Sequence, residues 1–123
     1  MQAKNNNTTT ARGREAEQQA AEQLERRGLR ILARNYRVRG GEIDLICRDS
    51  QQVVFVEVRM RNRQDYGDAA ASITHQKRQR IILAARHFLL QHPEWARHDC
   101  RFDCVLIAGD QAEWLRNAFS ADD

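Results

Sequence analysis

Two short stretches place carboxylates where a strand should carry apolar side chains. In Glu42-Ile43-Asp44-Leu45-Ile46 the two-residue period of an extended chain sets Ile43 and Leu45 on one face and Glu42 and Asp44 on the other. In the run from Val53 to Arg61, Val54, Val56, Val58 and Met60 share one face; Val53, Phe55, Glu57, Arg59 and Arg61 share the other, so Glu57 interrupts an otherwise apolar strand. The polar tripeptide Asp49-Ser50-Gln51 between these runs reads as a hairpin connection. Folding the hairpin about it brings Asp44 opposite Glu57, to within about one residue. Like charges facing each other destabilise a sheet, and a buried carboxylate without a partner costs several kcal/mol, so the pair calls for a cation. Arg59 is one choice and a divalent metal the other; clustered carboxylate oxygens suit Mg²⁺, Mn²⁺ or Ca²⁺ better than zinc. Glu17 lies close to the inward stripe of a first helix and can join the pair, although an exposed helix glutamate accounts for it equally. A structural ion-pair network of Asp44 and Glu57 with Arg59 and Arg61 is the rival use of the same residues.

These side chains need a scaffold, and the chain supplies one in a simple order. Residues 1–12, with Asn5 to Thr10, show neither periodicity nor bulk and predict a disordered leader. From Arg14 to Arg27 good helix formers dominate, Ala16, Ala20 and Leu24 share a face, and Gly28 stands where a C-cap glycine belongs. Leu29 to Val38 has the looser spacing of a bulged strand and leads to a Gly40-Gly41 turn. Strands over Glu42–Arg48 and Gln52–Met60 form the central hairpin. A polar loop, Arg61 to Asp68, precedes a long helix over Ala69–Gln91, whose buried stripe is read as Ile73, Ile81 and Phe88 with their neighbours Leu83, Ala84 and Leu89, and which Pro93 ends. Strands over Arg101–Ala108 and Ala112–Leu115 flank a Gly109-Asp110 turn, and residues 118–123 should fray. The result is one domain over residues 13–117, an α/β or α+β sandwich with a mixed sheet.

Composition narrows the class. A chain of 123 residues has room for one core and one compact site. A mean hydropathy of −0.75 with 30% charged residues is that of an ordinary globular protein, and no apolar run approaches the ~20 residues of a membrane helix. The polar N-terminus carries no apolar secretory segment, so the expectation is a cytoplasmic protein with no membrane partner. Three cysteines without a Cys-x-x-Cys pair read as reduced structural thiols, and Cys100 and Cys104 lack a second ligand pair at zinc spacing. Charge is segregated: residues 1–93 carry 17 basic and 10 acidic side chains, and residues 94–123 carry 3 and 7. Of the 20 basic residues 18 are arginine, whose planar fork matches phosphate oxygens; a nucleic-acid partner and a merely solvated arginine-rich surface both fit this charge, which alone does not decide between them. Arg26, Arg27, Arg30, Arg34, Arg37 and Arg39 fall in a stretch without an acid, and Arg61 and Arg63 extend the set.

Gly41-Glu42-Ile43-Asp44-Leu45-Ile46 followed across the hairpin by Phe55-Val56-Glu57-Val58-Arg59 and Arg61 resembles the YraN-like family of uncharacterised bacterial proteins. That family is predicted to belong to the PD-(D/E)XK nuclease superfamily and is similar to archaeal Holliday-junction resolvases. The likeness covers about residues 12 to 117 and includes the helix with Glu17, Arg34-Asn35-Tyr36, Tyr66-Gly67, the Lys77 helix and Arg101-Phe102-Asp103. It implies a restriction-endonuclease-like α-β-β-β-α-β core, with a mixed central sheet flanked by helices, and a Mg²⁺- or Mn²⁺-dependent site that cleaves phosphodiester bonds in DNA, branched DNA included. Under it Asp44 and Glu57 match the two metal-binding acids, Glu42 is a further candidate ligand, Glu17 matches the helix-one acid of resolvase-like members, and Arg59 stands where the superfamily has lysine. Resolvase-like enzymes generally cut as dimers, so the resemblance also allows a homodimer, with Trp95 or Trp114 at an interface if not in the core.

The arginine is a departure. Lysine can shift its pKa and help deprotonate the attacking water, whereas Arg59 stays protonated and is left to grip phosphate and offset developing charge. Lys77, one of only two lysines, is a candidate to lend the missing amine from the long helix. Two other readings follow: a nucleic-acid-binding module of this fold with weak or no turnover, and a small adaptor whose acidic C-terminal segment docks on a basic protein.

Overall fold

The computed structural model describes residues 2–61 and 73–122; the side chains of residues 2–10 and 12 fall outside the description. The chain forms α1 (Gln2–Arg26), β1 (Arg30–Val38), β2 (Gly41–Asp49), β3 (Gln52–Met60), α2 (His75–Gln91), α3 (Pro93–Ala96), β4 (Asp99–Ala108) and β5 (Gln111–Phe119). Five strands make one sheet in the order β1-β2-β3-β4-β5. All neighbours are antiparallel except β3 and β4, so the sheet is mixed and the parallel pair is bridged by the crossover that contains α2. This is the α-β-β-β-α-β order with one strand added.

Helix α1 covers one face of the sheet and α2 the other. Ala16, Ala20, Ala21 and Leu24 pack on Leu45, Val54, Val56 and Val105, where three alanines let the helix approach closely. Ile81, Ala84, Ala85 and Phe88 pack on Ile43, Ile46, Phe55 and Phe102. The central strands β2 and β3 are thus buried on both sides, which explains their near-continuous apolar runs. Helix α1 ends in a Schellman motif: Gly28 has φ +95°, its N–H donates to Glu25 at 3.0 Å, and Leu29 N–H donates to Leu24 at 3.0 Å.

Several boundaries differ from the sequence expectation. Helix α1 starts at Gln2, so helical backbone continues through the segment expected to be a disordered leader. Extending a helix already anchored by its packed half needs no new nucleus, and residues 2–12 contain neither proline nor glycine to stop it. Helix α2 starts at His75, where Thr74 caps it with its hydroxyl oxygen, which accepts from the Lys77 N–H at 3.1 Å; residues 69–72 of the expected helix, like most of the expected loop before them, lie outside the described residues. Strand β5 runs to Phe119, past the expected end at Leu115 and into the tail expected to fray. A bulge with Asn117 at φ +51° lets Phe119 pair with and stack on Phe102. Cys47 and Cys104 are buried free thiols, and Cys100 is free and exposed. No helix among the described residues is long and apolar enough to cross a membrane.

Candidate active site

The ladder between β2 and β3 runs from Asp49↔Gln52 at the turn to Leu45↔Val56, and the next step of that register is Asp44 opposite Glu57. There the hairpin forks: both strands continue, pairing outward with β1 and β4. The fork frees the Val58 N–H, which donates to Asp44 Oδ2 at 2.8 Å. Alternation slips at the same place, since Ile43 packs under α2 and Leu45 under α1, although a strict period of two would put them on one face. Asp44 therefore sits in the mouth of the fork between the two helical layers.

Glu57 is only 6% exposed and hydrogen-bonded to the Asp44 carboxyl. Burial, then the Asp44 charge, pushes its pKa up to about 8, against the opposing pull of Lys77 and Arg59. Glu57 therefore holds its proton more tightly than a free carboxyl does. Lys77, held in the first turn of α2 by the Thr74 cap, brings Nζ to 3.8 Å from Glu57 Oε2. The structure gathers Asp44, Glu57, Lys77 and the half-buried Arg59 at the fork. The Cys104 thiol, beside Glu57 in the parallel ladder, is pushed up to about 12 by burial and then by the Glu57 charge, and is inert there.

The other acids stand further off. Glu42 turns to α2, its Oε1 3.4 Å from Arg80. Glu17 projects from α1, and its carboxyl is raised above the ordinary value by burial and then by the Asp44 charge, with Asn35, Arg37 and Arg34 pulling the other way. Among the described residues no three His, Cys, Asp or Glu side chains converge into a metal cage, so neither Glu42 nor Glu17 completes a triad with the pair. The donor set fits Mg²⁺ or Mn²⁺ nonetheless: adjacent carboxylate oxygens suit a hard cation, and Mg²⁺ characteristically keeps several waters beside one or two carboxylates.

The arginines divide by position. Arg37 opposes Glu42 across β1 and β2, and Arg34 Nη1 donates to Gln18 of α1 at 2.8 Å, so both flank the fork. Arg39 is exposed in the turn beyond β1, and Arg61 leaves β3 with Nη1 3.8 Å from Glu113. Arg30 opposes Arg48, about 13 Å along β2 from Asp44. Arg26 ends α1 and Arg27 lies over the Trp114 ring at 5.5 Å, so these three belong away from the fork. Arg63 and Tyr66-Gly67 lie outside the described residues.

Asn35 enters the sequence reading only within the Arg34-Asn35-Tyr36 likeness and is given no role there. It sits in mid-strand at φ +51°, opposite Asp44 by register, and hydrogen-bonds Glu17. An asparagine inside a strand-like run is the one local sign of such a left-handed position. With Gly13, Arg14, Glu17 and Arg37 it lines a cleft of about 430 Å³ beside the fork.

The model of the uncharacterised protein family UPF0102 matches residues 16–107. The chain belongs to this family. A UPF0102 protein of Dechloromonas aromatica is 66% identical over 123 residues, the whole of both chains. One of Klebsiella pneumoniae is 54% identical over 104 residues, 84% of this chain and 81% of the relative; one of Aeromonas hydrophila is 50% identical over 110 residues, 89% and 85%. UPF0102 is the YraN-like family that the motif resembles. Its matched span contains Glu17, Asp44, Glu57, Arg59 and Lys77, so the whole fork is UPF0102 sequence.

Proposed function

We propose that this UPF0102 protein is a Mg²⁺- or Mn²⁺-dependent endonuclease that hydrolyses phosphodiester bonds in DNA. The observation that carries the reading is the Asp44–Glu57 pair, two acids forced together at a strand fork with a lysine and an arginine beside them. Lys77 stands 3.8 Å from Glu57, yet burial and then the Asp44 charge still raise the Glu57 carboxyl above its ordinary value, so acid facing acid is left with charge that a further cation would offset. Asp44 and Glu57 would hold the metal, with Asp44 kept in place by the Val58 N–H. A metal held by these two carboxylates would supply Lewis acidity, which lowers the pKa of water and polarises a phosphate. Lys77 supports ionisation of Glu57 and supplies the amine that Arg59 does not, while Arg59 grips a phosphate oxygen and offsets charge as the bond breaks. Arg34, Arg37 and Arg39 present an exposed basic approach for the strand.

The test is Mn²⁺-dependent nicking of linear and branched DNA by the wild type, Asp44→Asn and Glu57→Gln. Products formed by the wild type, and reduced at least about 100-fold in both variants, are expected. Equal activity in all three would assign the cleavage to a contaminant. Salt-sensitive binding with no product after long incubation would select the binding-module reading that Arg59 suggests.

A further inference from the structure

We propose that the cleft between α1 and β1 holds a single unpaired nucleotide of the DNA strand, next to the phosphate at the fork. The proposal rests on the nuclease reading for the identity of the polymer and adds the substrate class, strands with an unpaired base. Gly13 is the first observation. It lies within a helix of 25 residues, where glycine weakens the helix, and a Cβ built on it meets nothing within 4 Å, so packing does not demand it. What its missing side chain leaves open is the cleft.

Asn35 is the second. Its left-handed backbone turns an edge-strand side chain onto Glu17, at the strand position opposite Asp44. The lining is then chemically mixed: Arg14 and Arg37 offer guanidinium groups, Asn35 an amide and Glu17 a carboxylate. A bare anion would satisfy the arginines and meet repulsion from Glu17. A nucleotide satisfies both, with its phosphate on the arginines and the donor groups of its base edge or sugar on Glu17 and Asn35. The volume, about 430 Å³, lies at the lower end of small-ligand pockets, which run from about 300 to 1,000 Å³, so it suits one nucleotide rather than a base pair. A base in a duplex must leave its stack to enter, which favours DNA in which it is already unpaired.

The experiment uses fluorescence anisotropy on the full chain, with labelled duplexes identical except for one unpaired nucleotide and without divalent metal, so that binding is read apart from cleavage. The wild type should bind the bulged duplex at least about tenfold more tightly than the paired one. Gly13→Leu, which improves helix propensity while filling the cleft, should abolish that preference without lowering the thermal midpoint or weakening paired-duplex binding. Asn35→Gly, which keeps the left-handed backbone and removes the amide, should reduce the preference and covers the case of a misfolded Gly13→Leu. A preference that survives Gly13→Leu, or no preference in the wild type, overturns the proposal. Cleavage in Mn²⁺ is scored separately: preference without cleavage supports the cleft and sinks the nuclease reading, and cleavage without preference does the reverse.

Discussion

Glu57 sets the behaviour of the site at the level of single residues. Its folded-state pKa of about 8 stands above the ordinary 4.5, so between these values the folded chain keeps a proton that the unfolded chain has released. The metal-free protein should therefore lose stability as pH rises from about 4.5 to about 8, by an amount on the order of a few kcal/mol. Denaturant melts across that range should show the decline, and Mn²⁺ should reverse it at the alkaline end. Asp44→Asn should make the decline shallower without removing it, because burial, the larger cause of the raised value, remains when the Asp44 charge is gone. Lys77→Ala should move the pH midpoint of Mn²⁺ binding upward, whereas Lys77→Arg should leave it near the wild-type value; an unmoved midpoint in Lys77→Ala would remove Lys77 from the site. Asp103 makes a different use of a buried acid. It is fully buried and accepts from Arg101 Nε at 3.1 Å, Trp114 Nε1 at 2.8 Å and the Asn117 N–H at 3.0 Å. Asp103→Ala should cost on the order of 3 kcal/mol in denaturant unfolding: Arg101 stays paired with Asp49 and Gln52, but it loses one of its two carboxylates, and Trp114 Nε1 and the Asn117 N–H lose their acceptor. Sequence distinguished Glu57 from its apolar neighbours readily; it gave no sign that Asp103, in an equally apolar strand, would find enough donors to be a structural anchor.

The hairpin is the element whose geometry was most legible. Its turn residues and two apolar runs determine a register with Leu45 opposite Val56, and from it the meeting of Asp44 and Glu57. Features set by tertiary contact were not legible in this way. The start of α2 depends on a hydroxyl cap at Thr74, and the length of β5 depends on a bulge whose freed N–H finds Asp103. In both places the boundary is set by the hydrogen-bond partner and not by the period of apolar residues. Gly41 shows how an element positions the site from a distance. A Cβ there would overlap the Arg80 carbonyl oxygen and stand 3.2 Å from the Ala84 nitrogen, so the glycine lets β2 touch α2. Gly41→Ala should destabilise the fold by about 1–3 kcal/mol. It should also weaken Mn²⁺ binding through displacement of Lys77, whereas retained binding in the folded variant would show that the α2 contact does not hold the site.

At the scale of the molecule, the exposed edge strand β1 carries Arg30, Arg34 and Arg37 with Arg39 just beyond it, and α1 contributes Arg26 and Arg27. Charges on an edge strand also prevent strand-to-strand aggregation, so the row has a use even without DNA. Salt dependence separates the two uses. If about five phosphates are neutralised, the log–log slope of affinity against salt should be roughly −4 to −5, and Arg37→Ala should make it shallower by about one. An affinity indifferent to salt would assign the row to solubility alone. Fold class was legible because helix and strand periods alternate clearly along the chain, whereas the cleft was not, since it arises where α1 crosses β1 and joins Gly13 to Asn35. All of this depends on the two acids at the fork accepting a cation in place of a proton. The direct measurement is anomalous diffraction from crystals soaked in Mn²⁺ near neutral pH. The expected result is a single peak between the Asp44 and Glu57 carboxylates, lost in Glu57→Gln; a fork without such a peak, its acids still joined to each other and to Lys77, would contradict the account.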